Sequence, residues 1–172
     1  MKKITDRNFF TRDTISVAKD LIGKIIITNV DGVEKCGRIS EVECYLGVDD
    51  SACHTYNGKR TLRNEPMWSD GGIIYIYLCY GLHNLFNIVT SKKDNPEAVL
   101  IRALVGYDGP AKTTKFLNID KSFNGESIVN NQKIAIYDDG KRYNHKKMTR
   151  VGINYALPKD RDALLRFVLV KD

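Results

Sequence analysis

The segment Arg38-Ile39-Ser40-Glu41-Val42-Glu43-Cys44-Tyr45-Leu46-Gly47 alternates between two kinds of side chain, as a β-strand with two different faces does. The apolar side chains that suit a protein core share one face, at Val42, Cys44 and Leu46. Glu43 and Tyr45 share the opposite face. A carboxylate beside an aromatic ring, both directed away from the core, indicates a candidate functional site on this strand.

Further strand signals on both sides of this segment indicate the fold class. Asp31-Gly32 predicts a tight hairpin between strands at 24–30 and 33–45. The other predicted strands lie at 73–80, 85–90, 98–106, 133–137, 149–154 and 166–170. The predicted helices lie at 11–23 and 109–117, with a helical turn at 160–165. Because strands outnumber helices and are joined mostly by turns, the sequence predicts an α+β fold, with a single compact domain (residues 1–172) around a curved, largely antiparallel β-sheet with a few flanking helices.

Residues 47–71 lack a clear hydrophobic period and contain the turn signals Asn57-Gly58 and Asp70-Gly71. This is a long stretch for a connection within one domain. Long loops in compact domains are often functional, so the stretch is expected to contribute to a site.

The composition is typical of a globular protein. Of the 172 residues, 42% are apolar and 28% are charged. No apolar run is long enough to cross a bilayer, and Met1-Lys2-Lys3 leads into polar sequence rather than into the apolar part of a signal peptide. These features predict a cytoplasmic protein that does not associate with membranes.

The chain has four cysteines, Cys36, Cys44, Cys53 and Cys79. There is no export signal, and three of the four lie in or beside apolar, strand-like sequence. Reduced, buried thiols are therefore favoured over two disulfides. A zinc site formed by Cys44, Cys53 and His54 is the alternative, although no Cys-x-x-Cys pair supports it. The sequence predicts no metal.

Positive charge is concentrated in two segments of the chain. The sequence has 27 Lys and Arg against 21 Asp and Glu, which gives a net charge of +6. The basic residues of interest in segments 59–64 and 141–147 are Lys59, Arg60, Arg63, Lys146 and Lys147. A lysine-rich surface that favours solubility would explain the total charge, whereas the clustering favours nucleic acid as a partner.

Arg102 lies within the apolar segment Ala98-Val99-Leu100-Ile101-Arg102-Ala103-Leu104-Val105. Because an unpaired buried charge is costly, its guanidinium is expected to form an ion pair or to face a wet cavity. The ion pair either joins two strands structurally or includes a carboxylate that works in a cleft. Glu43 is the candidate for the second role.

Several other residues have both a structural and a functional interpretation. His54 is either an ordinary hydrogen-bonded histidine or part of a site, and packing alone explains the tyrosines of segment 74–81. Tyr80 differs because a glycine follows it at a predicted turn, where the ring can project outward as a wedge. Asn87 is the one polar residue of the apolar strand 85–89, and a buried amide needs partners.

Several motifs occur together and in a fixed order along the chain. They are Glu43-Cys44-Tyr45-Leu46-Gly47, Cys53-His54, Arg63-Asn64, Tyr75-Ile76-Tyr77-Leu78-Cys79-Tyr80-Gly81, Asn87, Leu100-Ile101-Arg102-Ala103-Leu104, Gly109-Pro110, Arg150-Val151-Gly152-Ile153 and Leu165-Arg166-Phe167. In their order and spacing they resemble the alkyladenine (3-methyladenine) DNA glycosylase family. The resemblance runs from about Phe9 to Val170. It implies a base-excision-repair enzyme that flips alkylated purines such as 3-methyladenine out of duplex DNA.

The resemblance also implies how the reaction proceeds. Glu43 matches the carboxylate that activates a water molecule for attack on the anomeric carbon. Arg102 matches the arginine that helps hold this water and pairs with the acid. The N-glycosidic bond is hydrolysed and an abasic site remains. No lysine is implied as a nucleophile, so neither lyase activity nor a cofactor is expected.

The same resemblance assigns the contacts with the flipped base. Tyr45 and His54 match residues that enclose the base, and Tyr77 matches the ring that stacks on its other face. Asn87 matches the asparagine that disfavours the 2-amino group of guanine. Tyr80 matches the tyrosine that fills the gap left in the duplex.

The implied partner is double-stranded DNA that contains damaged purines. A monomer is expected to bind it, associated with the nucleoid. Contacts with the DNA backbone are expected from the basic residues named above, namely Lys59, Arg60, Arg63, Lys146 and Lys147. The chain departs from the family at His83, where mammalian members have a tyrosine.

Two other classes of protein remain as alternatives on the sequence. A non-catalytic RNA-binding module would keep the basic surface but has no use for Glu43 together with Arg102. A metal-dependent nuclease would need clustered acids. Asp49-Asp50 and Asp138-Asp139 are instead typical of solvated turns.

Overall fold

Residues 1–171, which the computed structural model describes, contain nine β-strands and three α-helices. The strands are β1 (Lys2–Lys3), β2 (Ile25–Val30), β3 (Val33–Tyr45), β4 (Ile74–Cys79), β5 (His83–Thr90), β6 (Glu97–Leu104), β7 (Ile134–Asp138), β8 (His145–Met148) and β9 (Arg166–Leu169). The helices are α1 (Thr14–Leu21), α2 (Pro110–Leu117) and α3 (Pro158–Arg161). Within this described part of the chain, no helix has the length and apolar character needed to cross a membrane.

All of the strands pair antiparallel with their neighbours. Their order is β1-β7-β2-β3-β6-β5-β4, and β9 pairs with both β3 and β8. The sheet is not closed, because β1 and β4 lie at opposite ends of this order. The predicted α+β fold around a largely antiparallel sheet is therefore confirmed.

Strand β3 positions most of the candidate site. The β2–β3 hairpin turns at Asp31 and Gly32, whose φ angles of 51° and 76° lie in the left-handed region that a type I′ turn requires. β2 pairs with the first half of β3, and β9 pairs with the second half. The pairing of β3 with β6 shifts register around Glu41, which is a bulge of the kind often found beside active sites.

The core face of β3 packs against α1. The carboxylate of Asp13 caps this helix by accepting a hydrogen bond from the Ser16 N–H at 3.0 Å. The fully buried side chains that α1 and β3 contribute to the main core include Val17, Ala18, Leu21, Val42 and Cys44. Leu46 is half-buried and packs against the same core. The predicted core face of β3 is confirmed.

Two predictions near the end of the chain were wrong. The predicted strand at 149–154 is a loop, and β8 lies just before it. Arg150 is held in a buried ion pair and Gly152 has a φ of 75°, so this segment does not extend along a neighbouring strand. The predicted helical turn at 160–165 begins earlier, as α3. Strand β8 was not predicted, because its two lysines do not fit the apolar pattern of a buried strand. Lysines are nevertheless common on edge strands such as β8.

The four cysteine thiols are unpaired. Cys44 and Cys53 are buried, as predicted, whereas Cys36 is exposed, which contradicts the prediction for that residue. Cys79 is half-buried.

Candidate active site

The carboxylate of Glu43 is fully buried in the folded chain. Tyr45 donates a hydrogen bond from its hydroxyl to Glu43 Oε1 at 3.1 Å. The backbone N–H of Val151 donates another to Glu43 Oε2 at 2.6 Å. The face of β3 opposite the core is thus not open to solvent at Glu43, because the loop after β8 covers it.

Burial raises the pKa of the Glu43 carboxyl above its ordinary value. The hydrogen bond from Val151, the positive charge of Arg102, the hydrogen bond from Tyr45 and the charge of Arg150 oppose this effect. A carboxylate with a raised pKa is a stronger base than one in water. Glu43 is therefore suited to accept a proton from water.

Arg102 does not form the ion pair predicted with Glu43. Its Nε lies 3.0 Å from Oε1 of Glu41, and the same oxygen lies 2.8 Å from Nη1 of Arg166. The register of β3 against β6 explains the difference, because Glu41 lies opposite Ala103, next to Arg102, whereas Glu43 lies opposite Leu100. The charge of Arg102 still lowers the pKa of Glu43, so the guanidinium acts on the acid from a distance.

A small cavity, here called the base pocket, lies beside Glu43. It is lined by Tyr45, Cys53, His54, Met67, Tyr75, Tyr77, Asn87 and Ala98. It has about 240 Å³ of unfilled space, part of which is open to solvent. The structure thus brings together all four residues that the sequence assigned to base binding.

His54 is held by two tyrosines in the base pocket. Its Nδ1 lies 2.9 Å from the hydroxyl of Tyr75, and its ring centroid lies 4.5 Å from that of Tyr77. Partial removal from water lowers the pKa of His54, and the charges of Arg63 and Lys59 act in the same direction. The imidazole is therefore neutral at physiological pH, with one ring nitrogen able to accept a hydrogen bond.

Tyr75 has a larger part in the base pocket than the sequence indicated. Core packing was enough to explain it there, and it is indeed almost fully buried. Its hydroxyl holds His54, however, and its backbone carbonyl accepts a 3.3 Å hydrogen bond from Asn87 Nδ2. Burial raises the pKa of Tyr75 to about 12, so the hydroxyl stays protonated. Tyr75 thus orients two residues of the base pocket.

Tyr80 lies at the tip of the hairpin between β4 and β5. Its side chain is 96% exposed, which is unusual for so large an aromatic ring. Its φ of 53° is in the left-handed region, and Gly81 follows with a φ of 64°. A non-glycine residue in this region is uncommon and is found often at functional sites. The turn directs an unpacked ring into solvent, as a wedge requires.

The five basic residues predicted to contact the DNA backbone are all exposed, but their surroundings differ. Arg60 forms an ion pair with Glu65 at 2.6 Å and lies over the ring of Trp68. Arg63 donates a 3.0 Å hydrogen bond to the carbonyl of Leu78. These two side chains have protein partners, so the segment 59–64 is less freely available to phosphate than its sequence indicated.

Two of the groups that a zinc site or a metal-dependent nuclease would use, Cys53 and Asp50, have other partners in the protein. Cys53 bonds with Thr55, not with a neighbouring thiol. Asp50 is buried against Arg150, so its prediction as a solvated turn residue was wrong. Within residues 1–171, no group of three or more His, Cys, Asp or Glu side chains is arranged to hold a metal ion.

Sequence reasoning missed four residues around Glu43. They are Glu41, Asp50, Arg150 and Val151. Arg150 and Val151 fall within a motif that contributed to the resemblance, so a signal existed for them. Glu41 and Asp50 had no comparable signal, because their roles depend on the register between two strands and on a contact between distant segments.

Comparison with known proteins identifies the family of this chain. The chain matches the family described as Methylpurine-DNA glycosylase (MPG) over residues 8–108 and 106–172. A protein of Borreliella afzelii (strain PKo) is 43% identical over 176 residues, which cover 95% of each chain. A protein of Natranaerobius thermophilus is 41% identical over 187 residues, which cover 95% of this chain and 94% of its own. Both relatives are named provisionally as 3-methyladenine DNA glycosylases.

Proposed function

The chain belongs to the methylpurine-DNA glycosylase family, whose members are DNA repair glycosylases, and on that basis we propose that it excises alkylated purines, 3-methyladenine above all, from double-stranded DNA. It acts as a monomer without a cofactor and leaves an abasic site. The observation that carries this proposal is a buried carboxylate, Glu43, beside a pocket walled by aromatic rings.

The target base has to leave the helix before any side chain reaches its glycosidic bond. Unstacking costs a few kcal/mol, and an apolar wedge offsets that cost by filling the vacated space. The exposed ring of Tyr80 supplies the wedge. The lysines Lys59, Lys146 and Lys147 supply phosphate contacts, and Arg60 and Arg63 contribute less because they have protein partners.

The base pocket favours a cationic purine. Stacking on an aromatic ring contributes about 1–3 kcal/mol per base. Tyr45 and Tyr77, which both line the pocket, provide such rings. Since 3-methyladenine in DNA is positively charged, its stacking also has a cation–π component. The neutral ring of His54 offers a hydrogen bond without repelling this charge.

Glu43 removes a proton from the attacking water. The water oxygen forms a bond to the anomeric carbon, while the bond from that carbon to the base nitrogen breaks and its electron pair leaves with the base. The sugar passes through an oxocarbenium-like state, which a nearby carboxylate also stabilises. Arg102 helps to hold the water. Because an alkylated cationic base leaves as a neutral molecule, this step needs no general acid to protonate the leaving base.

The test uses duplexes that each contain one defined lesion. We expect release of free 3-methyladenine, followed by strand breaks that appear only after alkali treatment, because no lysine nucleophile opens the sugar. The same rate is expected in EDTA. Strand breaks without alkali would contradict the absence of lyase activity. Tight RNA binding without base release would instead favour the non-catalytic module.

Asn87 is expected to set the choice between purines. Its amide lines the base pocket and is almost fully buried. Asn87→Ser should open space for the 2-amino group of guanine. We expect excision of guanine-derived bases to rise about tenfold relative to 3-methyladenine.

The measurement for this prediction compares excision of 3-methyladenine, hypoxanthine and normal guanine by the wild type and by Asn87→Ser. Asn84→Ser is the matched control, because Asn84 lies on the same strand but does not line the base pocket. If Asn87→Ser shows no relative gain on guanine, Asn87 is a packing residue and selectivity lies elsewhere.

A further inference from the structure

Arg150 and Asp50 form the most deeply buried ion pair of the described residues. Their side chains are 0% and 3% exposed. The pair is bidentate, with Nη1 to Oδ2 at 2.6 Å and Nη2 to Oδ1 at 3.0 Å. Burial of two charges is costly, and such a pair is often no more stable than apolar residues in its place. Stability alone therefore does not account for this pair.

The ion pair joins two segments that are distant in sequence. Arg150 donates to the carbonyls of Cys44 at 2.9 Å and Asp160 at 3.1 Å. Asp50 accepts a 2.9 Å hydrogen bond from the Leu46 N–H. The end of β3 and the loop after β8 are thus fixed to each other at one point.

Both protein groups that hydrogen-bond to Glu43 are attached to this point. Val151, whose N–H binds Oε2, is the next residue after Arg150. Tyr45, whose hydroxyl binds Oε1, has its ring centroid 5.1 Å from the guanidinium carbon of Arg150. A displacement of the Arg150 guanidinium would therefore move both of these hydrogen bonds.

We propose that Arg150, locked in place by Asp50, is a positioning residue for base excision: it holds the Val151 N–H and the Tyr45 ring so that the Glu43 carboxylate stays fixed and charged and can take a proton from the attacking water. The inference rests on the proposed function of Glu43 and adds a role for a pair of residues that touches neither base nor water. Since catalysis depends on geometry, a displacement of the catalytic carboxylate by about 1 Å can lower the rate about 100-fold.

The role has a consequence for the dependence of excision on pH. Glu43 works only as a carboxylate, so the rate falls as pH drops through its raised pKa. The titratable or charged groups that face it are Cys44, Tyr45, Tyr77, Arg102, Arg150 and Tyr155. Of these, Arg150 acts twice, through its charge and through the Val151 N–H. Loss of either contribution raises the pKa of Glu43 further.

The experiment measures single-turnover excision of 3-methyladenine, with the protein in saturating excess over the duplex, from acidic to neutral pH. Two variants are compared with the wild type. Arg150→Lys keeps the charge but loses the two-pronged geometry, and Arg150→Gln with Asp50→Asn removes both charges without leaving one buried alone. Arg38→Gln is the matched control. Arg38 lies elsewhere on β3, and its substitution breaks an ion pair with Asp139.

We expect both variants to bind the lesion duplex nearly as well as the wild type and to excise the base about 10- to 100-fold more slowly. The pH of half-maximal rate should rise in both, by about one unit in the double variant, and should not change in Arg38→Gln. A loss of folded protein alone would lower the amplitude but not move this pH.

Two results would contradict the positioning role of Arg150, and a third would contradict the proposed function. Wild-type rates and an unchanged half-maximal pH in both variants would overturn the role. A shift in the double variant alone would show that charge acts without positioning, which also overturns it. If the wild type releases no alkylated base from any duplex, the proposed function itself fails, and this outcome is distinguishable from the first two.

Discussion

Glu43→Gln is expected to bind a 3-methyladenine duplex as the wild type does and to excise the base about 100- to 10,000-fold more slowly. Glutamine keeps the shape of the side chain, and its amide can still pair with the Val151 N–H and the Tyr45 hydroxyl. It cannot accept a proton from water. The measurement is single-turnover base release, with lesion affinity determined separately.

Glu34→Gln is the control for this variant. Glu34 is also on β3 but is exposed and distant from the base pocket in the strand. Glu34→Gln removes the same charge from the protein as Glu43→Gln does, but at a position away from the base pocket. This control variant should therefore excise at the wild-type rate. Near-normal excision by Glu43→Gln would show that another group activates the water.

Tyr80→Ala is expected to weaken lesion binding by about 1–3 kcal/mol, or roughly 5- to 150-fold, because a stacking ring is removed from the duplex. The dependence of binding on salt should not change, since this ring touches bases and displaces no counterions. Its exposed position means that the substitution costs little in folding stability. Binding titrations at several salt concentrations measure both quantities.

Lys146→Ala with Lys147→Ala is the reciprocal variant. Both side chains are exposed on the edge strand β8. If these lysines bind phosphates, the salt slope should fall by about one for each lysine that does so, while the preference for lesion over undamaged duplex is retained. A changed salt slope in Tyr80→Ala, with unchanged lesion affinity, would mean that Tyr80 binds the DNA backbone instead.

The parts of the fold that sequence reasoning predicted well depend on short-range information. Alternation along 33–45 gave β3 and its core face, and Asp31-Gly32 gave the hairpin, because side-chain period and turn chemistry are local properties. The exposure of Tyr80 followed in the same way from the glycine after it. In each case the residues concerned are neighbours in the chain.

The parts that it missed depend on contacts between distant segments. The register of β3 against β6 brings Arg102 to Glu41 rather than to Glu43, and nothing local to either strand fixes that register. The segment 149–154 looks like a strand in isolation, but Arg150 is drawn to Asp50, which is 100 residues away. Tertiary pairing overrode local propensity at both places.

The hydrogen bond between Glu43 and Val151 spans 108 residues and ties the active carboxylate to the order in which the protein is made. Since a ribosome delivers the amino-terminal part first, β3 and the Tyr80 hairpin emerge long before Val151 does. A nascent chain therefore contains the residues of the Tyr80 hairpin and of the base pocket before Glu43 can bind the Val151 N–H. Contacts of such long range also form late in folding, because their loop entropy has to be overcome first. On the proposed mechanism, base release therefore reports that the segment around Val151 has docked against β3.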